Sequence, residues 1–231
     1  MSHVEGNLAA VYHQRFEGRQ DYRSRVWVAL LQDFFQPLIP GQARVLDLGC
    51  GYGEFINNVR CGEKFGMDLN PNTARILAPE VKFLQQDCSA PWALPEASLD
   101  VVFTSNFFEH LPDKASLGRT LDQALRCLRP GGRLIAMGPN IKFLPGSYWD
   151  FWDHYLPLTE TSLSEGLGVH GFKVERCVDR FLPYSMVGRA EYPIFFLRAY
   201  LKLPLAWRIW GRQFLVIAQK PPVSRPESQT A

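Results

Sequence analysis

The chain has 231 residues, 46% of them hydrophobic and 21% charged, and a formal net charge of +2. This is the make-up of a globular protein, most simply one domain, without the overall basic field that announces nucleic-acid binding. Five widely spaced cysteines (Cys50, Cys61, Cys88, Cys127, Cys177) form no Cys-x-x-Cys pair, which argues against a disulfide framework or a zinc site and for a reducing cytoplasm. Residues 1–22 are polar and lack the apolar core of a secretory signal. No charge-free apolar run approaches the ~20 residues of a membrane span, so neither secretion nor spanning is expected.

From Tyr22 to Phe35, the residues Val26, Trp27, Leu30, Leu31 and Phe34 recur at helical spacing and predict an amphipathic helix, stopped by Pro37, Pro40 and Gly41. Residues 44–48 then read as a short strand running into glycines 49, 51 and 53, with a helix beyond them. A second strand is read at 64–68, a proline-opened helix at 71–77, a third strand at 81–85 and an apolar fourth strand at 99–105. Asp113 suits the N-cap of a helix reaching Leu128, with Leu117, Leu121, Leu125 and Leu128 on one face. The turn 129–132 ends it before a fifth strand at 133–137. Strands alternating with helices imply a parallel sheet covered on both faces, whose ligand crevice lies beyond the carboxyl ends of the strands. Ser162-x-x-Glu165 is a capping-box candidate for a short helix, 171–178 a sixth strand and 213–218 a seventh. The domain reading is a helical cap at 1–40, a domain at 41–220 with a helical insertion at 181–211, and a disordered proline-containing tail at 221–231.

The chemistry-bearing signal is Asp47-Leu-Gly49-Cys-Gly51-Tyr-Gly53, where glycines let the backbone turn sharply and approach a nucleotide-like ligand. A dinucleotide fingerprint would place its third glycine at 54, which is Glu54 here, so that ligand is disfavoured. Asp68, at the end of the next strand, is positioned to accept hydrogen bonds from ribose hydroxyls, with Leu69 beside it. Asp87, past the third strand, suits an adenine amino group, with the Cys88 backbone alongside. Over residues 45–137 these motifs resemble the class I methyltransferases. The resemblance implies S-adenosylmethionine as cofactor and a Rossmann-like α/β sheet of seven strands, mostly parallel with the last reversed and with helices on both faces. It also implies that Asp47, Gly49, Gly51 and Gly53 meet the methionine part, that Asp68 holds the ribose, and that Asn106 and Phe107 lie under the cofactor. The runs 105–111 and 128–134 look like the small-molecule branch of that family, not its nucleic-acid or protein amino methylases.

The acceptor end is read from Tyr148-Trp-Asp-Phe-Trp-Asp-His-Tyr155, which follows the fifth strand and is dense in aromatic and proton-accepting groups. It is either an acceptor pocket, with His154 as general base oriented by Asp153 or Asp150, or an aromatic plug with those polar groups in water. His110 is read either as a packing histidine or as a proton acceptor, and Glu109 as a solvated or capping acid. No metal site is expected. From Phe181 to Arg212 the chain carries Arg189, Arg198, Lys202, Arg208 and Arg212 against Glu191 alone, among Tyr184, Tyr192, Phe195, Phe196, Tyr200, Trp207 and Trp210. Glu191, Arg198 and Lys202 are read on one helical face and Phe195, Leu197 and Leu201 on the other. The segment is either a lid on the sheet or one that meets lipid or a lipid-linked acceptor. The whole layout is similar to bacterial methyltransferases of glycoconjugate synthesis, which implies a saccharide hydroxyl as acceptor. The resulting expectation is a cytoplasmic O-methyltransferase of a small molecule or glycan, peripheral to the inner membrane in one reading, and a monomer or homodimer. A non-catalytic cofactor-binding partner subunit is the alternative from another class.

Overall fold

A computed structural model describes residues 20–184 and 191–222. Residues 1–19 of the expected cap, 185–190 of the insertion (Arg189 among them) and 223–231 of the expected tail lie outside the described residues.

Seven strands form one sheet: β1 Arg44–Leu48, β2 Glu63–Asp68, β3 Val81–Gln85, β4 Leu99–Ser105, β5 Leu128–Pro139, β6 Lys173–Val178 and β7 Gln213–Gln219. Their order is β3-β2-β1-β4-β5-β7-β6. The pairs from β3 through β5 are parallel, and β7 runs antiparallel to both β5 and β6. Alternate side chains divide between two cores, as the two-residue period of a strand requires. Leu46, Leu48, Val102, Leu134, Ala136 and Val216 face a core shared with helices α2 (Lys114–Cys127) and α3 (Glu160–Val169). Val45, Val101, Phe103, Ile135, Met137 and Ile217 face the other core. That second core is closed by helix α1 (Gln20–Leu30) with its π-helical extension Leu31–Phe35, and by the insertion helices α4 (Ile194–Leu201) and α5 (Pro204–Trp210).

The expected strands and the Asp113 cap occur where the sequence places them, and the Asp113 side chain accepts from Ser116 N at 2.7 Å. Other expectations are corrected. The glycine turn opens no helix but a few helical bonds, Asn57 N to Gly53 O (2.8 Å) and Val59 N to Phe55 O (2.9 Å). Here the Asn58 side chain captures the Glu54 carbonyl at 2.8 Å. The 71–77 helix is a 3-10 segment, Pro71–Arg75, whose Asn70 side chain accepts from Asn72 N. Turn 129–132 is drawn into β5, because Gly131 N donates to Lys220 O and Lys220 N to Gly132 O, both at 2.8 Å. The capping box starts three residues earlier than read: Thr159 Oγ1 accepts from Ser162 N (3.0 Å) and Ser162 Oγ from Thr159 N (2.9 Å). In and beside α4, Leu197 and Leu201 pack on the core and Glu191 and Lys202 face outward as read, but two positions depart: Arg198 reaches Asp33 (2.8 Å) and Gln32 (2.6 Å), and Phe195 is 61% exposed. An ion pair across α1 and α4 outweighs the hydrophobic pattern at Arg198.

Candidate active site

The crevice begins where β1 ends. Gly49 has φ +70° and Gly51 φ +50°, the left-handed region that a side chain makes costly. At Gly49 space is also closed, because a Cβ there would lie 2.3 Å from the Phe107 ring. The glycine thus lets the segment after β4 come down against the turn after β1. Thr104 ties the same two strands, donating from its hydroxyl to Leu48 O at 2.9 Å.

Asp68 stands at the carboxyl end of β2, as its position requires. Its Oδ2 accepts from Gly51 N and its Oδ1 from Asn70 N, each at 2.9 Å. Each carboxylate oxygen retains acceptor capacity, so Asp68 both shapes the loop and can receive ribose hydroxyls. Asp47 is buried, and its carboxyl is pushed well above the usual range by desolvation, then by the charges of Glu54 and Asp68. Burial also raises Glu54, opposed by Arg23, whose guanidinium reaches it from α1 at 2.7 Å. With Glu54 paired to Arg23, Asp47 and Asp68 remain in no ion pair among the described residues, so a positive charge beside them is favoured. Asn106, with φ +49°, presents a buried Oδ1 that has no hydrogen-bond partner among the described residues. The group implied by the sequence motifs carries a sulfonium and an amino group, and this donor set fits it. Leu69 lies exposed on the rim, where an apolar face can rest on it, and Asp87 is exposed nearby, its Oδ1 accepting from Ser89 N at 2.7 Å. The Cys88 thiol faces the core, meeting the Thr120 hydroxyl at 3.3 Å, and the Cys88 carbonyl accepts from Trp92 Nε1 at 2.8 Å.

The segments after β4 and β5 converge. Glu109 O accepts from Tyr155 N (2.8 Å) and Leu156 N (3.1 Å), while Tyr148, wholly buried, donates its hydroxyl to Leu156 O at 2.7 Å. Beneath these bonds Glu109, His110 and His154 bring their ligating atoms within 4.8 Å of one another. At that range the three groups feel one another's charge, and a proton passes between two of them across a hydrogen bond of about 2.6–3.2 Å or through one bridging water. His110 Nδ1 lies 2.8 Å from Asp153 O and 3.5 Å from an Asp153 carboxylate oxygen. A carbonyl only accepts, so Nδ1 carries a hydrogen. His154 is buried, its ring stacked on Phe151 (4.9 Å) and against Tyr148 (4.7 Å) and His110 (5.1 Å). Phe151 in turn meets Tyr184, near the start of the insertion, edge-on at 6.0 Å.

Three predicted catalytic residues, His154, His110 and Asp153, are therefore brought together, with Asp153 beside His110 and Asp150 exposed. Tyr148 plugs the core and Asp150 faces water, as the plug reading expects, but His154 is buried instead of facing water, and Trp149, Trp152 and Tyr155 are exposed. Sequence reasoning missed Glu109, which is not solvated but buried, its carboxyl pushed up to about 7 by desolvation against the lowering charge of His110. Its signal was weak because an acid in a polar loop is ordinarily exposed.

A model described as a methyltransferase domain matches residues 19–176 of the chain. The trans-aconitate 2-methyltransferase of Azoarcus sp. is 36% identical over 105 residues, covering 42% of this chain and 40% of that protein. A probable S-adenosylmethionine-dependent methyltransferase of Mycolicibacterium smegmatis is 31% identical over 137 residues, 57% of this chain and 52% of that protein. The matches thus span about half or less of these relatives' lengths. Among solved structures, an S-adenosylmethionine-dependent methyltransferase from Archaeoglobus fulgidus superposes with TM-score 0.65 at 22% identity, covering 92% of this chain and 99% of that one. A (4+2)-cyclase superposes with TM-score 0.58 at 19% identity, covering 86% and 81%, so the fold by itself does not name the reaction.

Proposed function

The chain belongs to the methyltransferase-domain family, and from that premise we propose that it moves the methyl group of S-adenosylmethionine to an oxygen of a small-molecule or saccharide acceptor. The observation that carries the reading is the junction of two clusters. The acid-lined glycine turn holds Asp47, Glu54 and Asp68, and the segment after β4 leads from Asn106 and Phe107, packed on that turn, directly into Glu109 and His110. When bound, S-adenosylmethionine supplies an electrophilic methyl group on a positively charged sulfur. Asp47 and Asp68 would favour that charge, Asn106 Oδ1 would accept an N–H, Asp68 would hold the ribose, and Leu69 and Asp87 would meet the adenine end.

An oxygen nucleophile needs its proton removed as it attacks, and a group titrating near neutrality does this best. His154 takes the acceptor's proton, and Glu109, held near 7, stabilises the resulting imidazolium across their shared cluster. His110, fixed through Nδ1 by Asp153, holds the other side of the pocket. Buried Tyr148 and half-buried Phe151 pack against the imidazole and hold it in place. A panel of saccharide and small-alcohol acceptors, with S-adenosylhomocysteine formation as readout and calorimetry of cofactor binding in parallel, tests this. Turnover that falls at least tenfold in His154→Ala with cofactor affinity retained supports it. Tight cofactor binding without turnover across acceptors sinks the enzymatic reading and leaves a cofactor-binding subunit, and full activity in His154→Ala removes the base assignment.

A further inference from the structure

Helices α4 and α5 are anchored on one side and apolar on the other. Leu201 and Trp207 are buried in the core under the sheet, Trp207 Nε1 donates to Tyr200 O (2.9 Å) and the Tyr200 hydroxyl to Phe181 O (2.6 Å). Arg198 pins α4 to Asp33. The outward side should then be polar, as on a helix that faces water. It is not: Phe195, Phe196, Leu203, Leu205, Ile209 and Trp210 are 56–74% exposed. The Phe195 and Phe196 rings touch at 4.0 Å, and Leu205 and Ile209 stand one turn apart on the same face of α5. Between Tyr192 and Trp210 there are three cations and no acid. Arg198 is engaged with Asp33, while Lys202 and Arg208 are exposed and in no ion pair among the described residues.

We propose that this helical pair is a lipid-binding surface that seats the protein on an anionic membrane face, with the apolar side chains in the headgroup boundary and Lys202 and Arg208 on lipid phosphates. The composition decides the occupant. Aromatic and branched side chains flanked by cations without acids are what an interfacial helix needs, since long basic side chains keep contact with headgroups while their neighbours enter the acyl boundary. A second copy of this chain meeting the face across a two-fold axis would set those cations near their own counterparts, with no acid in the stretch to offset them. Insertion across the bilayer is excluded for these segments: they have 8 and 7 residues, about 12 and 10 Å of helix, and no described helix is long and apolar enough to span. They lie flat. The inference goes beyond methyl transfer and does not depend on it.

The test is sedimentation of the full chain with vesicles of phosphatidylcholine alone and of phosphatidylcholine mixed with phosphatidylglycerol, with cofactor calorimetry on every variant. The expected result is co-sedimentation with the anionic vesicles, weakening as salt is raised. Leu205→Glu/Ile209→Glu should stay in the supernatant with unchanged cofactor affinity. Lys202→Glu/Arg208→Glu should lose more than about tenfold in partitioning, since each cation near such a surface contributes about fivefold. The proposal is overturned if the parent chain stays in solution with both vesicle types, or if the Leu205→Glu/Ile209→Glu chain sediments like the parent. It is also overturned if ultracentrifugation shows a dimer that the same pair dissolves and vesicles do not compete with.

Discussion

Single carboxyl groups carry the sharpest expectations. Asp68 accepts from Gly51 N and Asn70 N, so Asp68→Ala should lose charged hydrogen bonds within the loop as well as those to a ribose. Cofactor binding is expected to weaken by about 1–3 kcal/mol, with a lower melting temperature in the free protein. Unchanged calorimetric affinity would remove Asp68 from the cofactor site. Glu109 bears on pH. Its folded value of about 7 lies above its ordinary 4.5, so between those values the native state binds more protons than the unfolded chain, and stability declines as pH rises through the window. Asp47 and Glu54 shift in the same direction. Glu109→Gln should flatten the fall in melting temperature between pH 4.5 and 7, and an unaltered slope would show that Glu109 does not titrate there. Turnover should follow the opposite course, rising as Glu109 ionises. The place of Asp68 at the carboxyl end of β2 was legible from spacing alone. Glu109 was not, because burial depends on Tyr155 and Leu156 closing over it from forty-odd residues away.

At the scale of elements, the glycine turn and the α3 cap decide local geometry. Gly49→Ala meets two penalties, φ +70° and a Cβ 2.3 Å from the Phe107 ring. Destabilisation of about 1–3 kcal/mol is expected by urea unfolding, with cofactor affinity reduced further as Phe107 is displaced. Adding Phe107→Ala should recover part of the lost stability, because it relieves the clash but leaves the backbone strain. If Gly49→Ala alone binds cofactor normally, the close packing of the two segments has no functional weight. Thr159→Ala should cost about 1 kcal/mol by removing the acceptor for Ser162 N at the start of α3. Strands read correctly where a buried run was bounded by Gly, Pro or Asp. In the helix expected after the glycines, the Asn58 side chain takes the Glu54 carbonyl that a helical turn would use, while Asn57 turns to Ile76 and Ala78.

For the whole molecule, the closure of α1 by α4 matters most. Arg198→Ala removes bonds to Asp33 and Gln32 that join segments about 165 positions apart. Hydrogen exchange should accelerate in α1 and α4 while β1 and β4 keep their protection, since a segment opens more readily once the bonds that hold it closed are removed; uniform acceleration would mean that the insertion is integral to the sheet's stability. The sequence by itself determined the alternating strands and helices, the glycine turn with its acids at the strand ends, and the His110, Asp153 and His154 candidates. Each is written in local spacing and in the two-residue and helical periods that backbone geometry imposes. Only the tertiary structure decided that Glu109 is buried, that Cys88 faces the core, that Arg198 turns inward and that the outer side of α4 and α5 remains apolar. Burial and pairing of a charge depend on which distant segment lies against it, and that partner is fixed by the packed sheet rather than by neighbours in the chain.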